Sequence, residues 1–234
     1  MPRRPRLELP GIPLHITQRG VNRAAIFVDD EDRRHYLALL QEEFARACIA
    51  LHAYVLMGNH VHLLACADDV GAISHAMRRH GQCYVQAFNR RHGRTGTLWE
   101  GRFKSCLVDS DRYLLTVYRY IELNPVRAAM VATPEAHRWS SVHANLGLCT
   151  DALVTPHDVF LRLGPDVASR AASYRAWLCA PLAPEDLQSV RDHLRQERAL
   201  GDTRFQSMVE KALNRCARVR PSGRQKLAKA DVLV

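Results

Sequence analysis

His60 and His62 flank Val61 in the stretch Met57-Gly58-Asn59-His60-Val61-His62-Leu63-Leu64. In an extended strand, residues two apart face the same side, so both imidazoles project together while Val61 and Leu63 enter the opposite layer. Two imidazoles so placed can share one cation, or can rest on a sheet face with solvent or backbone partners. Twelve histidines in 234 residues give about 0.6 such pairs by chance, so the spacing alone leaves both readings open.

A second group lies in Tyr118-Arg119-Tyr120-Ile121-Glu122-Leu123-Asn124-Pro125. On a helix Tyr120 and Asn124 are one turn apart and share a face, while Tyr118 points roughly 200° away from Tyr120. Tyr113 shares the face of Tyr120 but stands about 16 Å from Asn124 along the axis. Tyrosines on amphipathic helices commonly pack a core, and an asparagine before proline commonly ends a helix, so here too the bland alternative stands. A third group is basic. Arg78, Arg79, Arg90, Arg91, Arg94, Arg102 and Lys104 are interleaved with Tyr84, Phe88, Trp99 and Phe103 and with a single acid, Glu100. That mixture suits a groove that follows phosphates and stacks unpaired bases; without the aromatics it would read as a solvated helix face.

The whole chain agrees with an acidic partner. Its 33 Lys and Arg outnumber 24 Asp and Glu, a net charge of +9. The opening Met1-Pro2-Arg3-Arg4-Pro5-Arg6 is no signal-peptide core and no long apolar run follows, which predicts a soluble, cytoplasmic protein that spans no membrane. Seven cysteines without a C-x-x-C pair argue against both a disulfide framework and a zinc knuckle. Neither a P-loop nor a G-x-G-x-x-G motif occurs, so no nucleotide cofactor is expected.

The elements that must carry these residues can be traced from periodicity. Leu14 and Ile16 alternating with His15 and Thr17 predict a strand ending at Arg19-Gly20. Asp29 or Asp30 caps a helix with Leu37, Leu40, Phe44 and Cys48 on its buried face. Ile49 to Met57 and His60 to Ala65 form a hairpin around Gly58-Asn59. Ile73, Met77, His80, Tyr84 and Phe88 stripe a second helix, a fourth strand runs near Phe103 to Val108, and Ser110 or Asp111 caps a third helix that must stop near Asn124. This order predicts an α+β, ferredoxin-like split βαβ: an antiparallel sheet with helices on one face and the other face free. After residue 150 the pattern turns helical, near 166–178, 184–200 and 203–218, and ends in a basic stretch with seven Lys and Arg between Lys211 and Lys229. We therefore expect a main domain over 1–150 and a helical C-terminal extension over 151–234 that ends in a flexible basic tail.

Tyr54-Val55-Leu56-Met57-Gly58-Asn59-His60-Val61-His62-Leu63-Leu64, Leu98-Trp99-Glu100-Gly101-Arg102-Phe103-Lys104 and Tyr120-Ile121-Glu122-Leu123-Asn124-Pro125-Val126-Arg127-Ala128, taken in this order, resemble the IS200-like single-tyrosine transposases. More narrowly they resemble the bacterial branch associated with repetitive extragenic palindromes (REP). Ile16-Thr17-Gln18-Arg19-Gly20-Val21-Asn22-Arg23 and Trp139-Ser140-Ser141 also fit, so the likeness spans about residues 11–145. The resemblance implies a histidine-hydrophobic-histidine nuclease fold, with His60, His62 and Asn124 as ligands of Mg²⁺ or Mn²⁺ and Tyr120 as nucleophile. It also implies hairpin or single-stranded DNA as partner and a monomer or homodimer; with the basic, aromatic composition above, the residues expected to contact that DNA are Arg19, Arg23, Arg78, Arg79, Arg90, Arg91, Arg94, Trp99, Arg102 and Lys104. Gly58 departs from the proline common in that branch.

Overall fold

The structure is a computed structural model and describes residues 5–109 and 113–220. β1 (Leu14–Arg19) leads through a 3-10 turn at Val21–Arg23 to α1 (Asp30–Arg46), and the hairpin β2 (Ala50–Leu56) and β3 (His60–Cys66) follows. Next come α2 (Ala72–Arg91), β4 (Lys104–Val108) and α3 (Leu114–Glu122). The strands lie in the order β2-β3-β1-β4, each antiparallel to its neighbour, which is the expected split βαβ arrangement. Gly20 is required where β1 turns away, because a Cβ there would stand 2.2 Å from the Ala24 carbonyl oxygen.

Strand alternation divides the core into two layers. Leu14 and Ile16 of β1, Val61, Leu63 and Ala65 of β3, and Leu107 of β4 meet α1 and α2. The α2 stripe Ile73, Met77, His80, Tyr84 and Phe88 is buried there as expected. In α1 the Asp29 side chain caps the first turn by accepting from Glu31 and Asp32 amides at 3.0 and 3.1 Å. The buried face of α1 differs from expectation at its end. Tyr36, Leu40 and Phe44 are buried, but Cys48 lies beyond the helix, exposed, with φ of 49°. The caps expected at Ser110 or Asp111 fall outside the described residues.

The expectation of a free second face is corrected. Ala53, Val55, Leu64, Cys106 and Val108 point away from α1 and α2 and are covered by α3 and by elements from the C-terminal part. Pro125 does not end the helical course: α3 closes at Glu122, and a short α4 (Asn124–Arg127) resumes at once, with the proline in its first turn, where no amide donor is needed. After α5 (Val142–Asn145) and α6 (Asp158–Leu161) come α7 (Val167–Cys179) and α8 (Pro184–Gln196), whose Val190 and Leu194 join this second layer. Residues 197–200, expected as helix, instead leave α8 through Glu197 at φ 53° and form β5 (Ala199–Leu200), parallel to β4. Ala199 and Leu200 are fully buried there, and burial against a strand edge outweighs their helix propensity. α9 (Thr203–Leu213) follows.

The start of the expected tail is also packed. The Arg215 guanidinium donates to the carbonyls of Pro5 and Arg6 at 2.7 and 3.2 Å, and the Arg220 amide to Gln196 Oε1 at 2.9 Å. Residues 221–234 lie outside the described residues. Among the described residues no helix is long and apolar enough to cross a membrane.

Candidate active site

α3 covers the second sheet face only partway along β3. On that face β3 carries Leu64 beneath the helix and then His62 and His60 beyond it, at the end nearest the hairpin turn. The turn is tied by three bonds to the segment that follows β1. Ile26 and Gly20 amides donate to the Gly58 and Asn59 carbonyls at 3.0 and 2.9 Å, and Asn59 Nδ2 donates to the Arg23 carbonyl at 3.1 Å. Register places Thr17 opposite His62 and Arg19 opposite His60. Here the sheet opens into a cavity of about 580 Å³, lined by Thr17, Arg19, His60, His62, Arg102, Lys104, Tyr120 and Asn124, with Glu100 as its acid.

Each histidine has its Nδ1 occupied by the protein. His60 Nδ1 donates to Asn59 Oδ1 at 2.7 Å, and His62 Nδ1 shares a hydrogen bond with His15 Nε2 at 3.0 Å. The Nε2 atoms are thus the nitrogens left for a ligand, an arrangement that neighbours impose on metal-binding imidazoles. Burial lowers the His60 pKa to about 4 and that of His62 well below its ordinary value, so both rings are neutral, as a metal ligand must be. Burial also lowers His15 to about 3. With the amide of Asn124 in the same cavity, the donor set fits a small divalent cation with coordination positions to spare. Among the described residues no group of three His, Cys, Asp or Glu could hold a metal.

Tyr120 faces the histidines. Its ring centroid is 5.6 Å from that of His62 and 5.5 Å from that of His15. Arg127 holds it from behind, with the guanidinium carbon 4.4 Å from the ring centroid and Nη2 donating to the Tyr120 carbonyl at 2.5 Å. Burial lowers the Arg127 pKa to about 10, and the group stays charged. Tyr118 points the other way, fully buried and stacked on Phe160 at 5.5 Å. α3 is fixed by Glu122, whose buried carboxylate accepts from Ser141 Oγ at 2.6 Å, Asn145 Nδ2 at 2.7 Å and Tyr174 Oη at 2.7 Å. Three donors satisfy a carboxyl group whose pKa burial raises.

The basic residues divide. Arg19, Arg102 and Lys104 line the cavity, while Arg78 and Trp99 line an adjoining one of about 810 Å³ that shares Arg102. Arg23 stands exposed on its turn with φ of 59°, Arg90 is exposed on α2, and the Arg94 guanidinium lies 5.5 Å from the Phe88 ring centroid. Arg79 is paired with Glu43 at 3.0 Å. Arg91 is paired with Asp29, Glu31 and Asp32 at 2.7, 2.7 and 2.6 Å, so its charge is spent inside the fold.

Sequence reasoning missed His15, Arg127 and three cavity residues of α8, Arg191, Leu194 and Arg195. His15 carried a signal, because it shares the alternating face of Thr17 and that face meets His62. Arg191 and Arg195 carried none until the packing of α8 was known.

Comparison with known proteins gives the family and the fold. The model of the family described as "Transposase IS200 like" matches residues 9–124. Over that span the chain belongs to the IS200-like transposases. A solved structure of a REP-associated tyrosine transposase bound to a REP hairpin superposes on this transposase with a TM-score of 0.52 and 16% identity, covering 68% of this chain and 93% of that one. At that identity the likeness speaks for the fold. A search of curated proteins finds no match. The transposase model ends at Asn124, so α8 lies beyond it.

Proposed function

We propose that this transposase is a single-stranded DNA endonuclease and strand transferase that cuts and rejoins hairpin DNA through a 5′-phosphotyrosine at Tyr120. One observation carries the reading: His60 and His62 of β3, Tyr120 of α3 and Asn124 of α4 line a single cavity ringed by Arg19, Arg102 and Lys104. His60, His62 and Asn124 would hold Mg²⁺ or Mn²⁺, which supplies charge neutralisation at a phosphate oxygen and polarises the phosphorus. Arg19, Arg102 and Lys104 hold the strand by its phosphates. Tyr120 Oη gives up its proton and attacks; a phosphorus–tyrosine bond forms, the bond to the 3′ oxygen breaks, and that oxygen takes a proton and leaves as a 3′-hydroxyl. The covalent link conserves the phosphodiester energy, so a second 3′-hydroxyl can reverse the step without ATP.

Every proposed group comes from one chain, which favours a monomer over an obligate homodimer as the working unit. The domain over 1–150 carries His60, His62, Tyr120 and Asn124, and the extension over 151–234 closes the cavity from α8. A hairpin of the palindromic REP kind is the natural substrate, by likeness to the hairpin-bound structure, and the cytoplasm is where such DNA is met. The test is to incubate the protein with Mn²⁺ or Mg²⁺ and 3′-labelled palindromic hairpins from its own genome. A denaturant-resistant adduct that chelator and Tyr120→Phe both abolish is expected. No adduct on any such strand would favour a DNA-binding regulator that has lost catalysis.

A further inference from the structure

α8 brings an unmatched charge into the cavity. Val190 and Leu194 are buried in the second layer and fix the helix rotation, so that Arg191, Leu194 and Arg195, spaced by three and four, present one face to the cavity. The two arginines differ. Arg195 pairs with Asp192 at 2.6 Å within the helix. Arg191 is exposed and has no ion pair or hydrogen bond among the described residues. Five cations, Arg19, Arg102, Lys104, Arg191 and Arg195, line this cavity against one acid, Glu100. Arg191 is also near enough to Arg127, the residue behind Tyr120, for its charge to add to burial in lowering the Arg127 pKa. A guanidinium held over an open cavity with its donors unspent is suited to a phosphate, which it can grip with two parallel bonds.

We propose that Arg191 binds one backbone phosphate of the strand in this cavity, making α8 part of the DNA site although it lies outside the segment shared with the family. The inference rests on the proposed reading of the cavity as a DNA site and adds a residue to it. In DNA the phosphate engaged is one next to the phosphate that Tyr120 attacks, since both groups line the same space.

Two arms test it. In the first, binding of a fluorescent oligothymidine is measured against salt for wild type, Arg191→Ala, Arg191→Lys and, as a control on the opposite layer, Arg34→Ala; no cutting is needed. Losing one phosphate contact flattens the slope of log affinity against log salt by about 0.7. Arg191→Ala is expected to show that change, Arg191→Lys to restore the slope, and Arg34→Ala to leave it unaltered. A wild-type slope in Arg191→Ala, or an equal change in Arg34→Ala, overturns the proposal. In the second arm, hairpin strands carry one neutral methylphosphonate at each position near the cut in turn. The expected penalty of Arg191→Ala on cutting, about tenfold or more, should vanish at one position only. A penalty that persists at every position overturns the contact. Adduct formation by wild type on the unmodified strand reports separately on the nuclease reading.

Discussion

The two faces of the sheet use the same strands to opposite ends. Toward α1 and α2, β1 and β3 present Leu14, Ile16, Val61, Leu63 and Ala65, and two of the arginines at the rim of that layer are neutralised: Arg79 by Glu43, and Arg91 by three carboxylates. Toward α3 and α8 the alternate positions present His15, Thr17, Arg19, His60 and His62, and the cations around them outnumber the acids. Two residues of one strand, His62 and Leu63, therefore do different work while touching along the backbone. The lesson is that a basic stretch in a sequence is a count of charges, whereas the field a ligand meets depends on which of them the fold has already paired.

The largest contrast should appear in that neighbouring pair. His62→Ala is expected to lower DNA cutting by about 10³-fold or more while hairpin affinity stays near wild type. Leu63→Ala should instead remove roughly 2–5 kcal/mol of stability, because it opens a cavity in the closed layer. Cutting retained by His62→Ala with divalent metal supplied would remove the metal assignment and dissolve the contrast between faces.

A smaller difference should separate an arginine that lines the cavity from one on α2 held by carboxylates of α1. Arg102→Ala is expected to flatten the salt dependence of single-strand binding by about 0.7 in slope, as one lost phosphate contact does. Arg91→Ala should leave that slope alone and lower the unfolding midpoint, because Asp32, 3% exposed at its side chain, loses its guanidinium partner. The reverse pattern would mean that α2, and not the cavity rim, follows the strand. Smaller again is Asn124→Ala. Water can replace an amide oxygen around a labile hard cation, so cutting should fall about tenfold and recover in part as Mg²⁺ is raised. An unchanged metal titration would take Asn124 out of the site.

Much of this was legible in the sequence because local periodicity determines it. The stripe from Ile73 to Phe88 and the alternation around His60 and His62 each predict an element and the face it buries, and the split βαβ order follows. Tyr120 and Asn124 fall on one face through helix geometry alone, and the structure separates them from Tyr118 as that geometry requires. What could not be read was set by contacts distant in sequence. Leu200 has the propensity of a helix former, but the edge of β4 takes it as a strand. Arg91 looked like part of a phosphate groove because Asp29, Glu31 and Asp32 lie about 60 positions earlier, and only the docking of α1 on α2 brings them to it. The covered second face and the arrival of Arg191 at the cavity likewise depend on where α8 packs.

The claim on which the rest stands is that Tyr120 becomes joined to DNA, and the sequence makes it unusually direct to examine. Trypsin cuts after Arg112, Arg119 and Arg127, so Tyr113 and Tyr118 fall together in the peptide 113–119 and Tyr120 alone in 120–127. The measurement is mass spectrometry of the denatured adduct after nuclease trimming and trypsin. The account predicts a nucleotide phosphate attached to the 120–127 peptide, at Tyr120, with the 113–119 peptide unmodified. A nucleotide on the 113–119 peptide would contradict it.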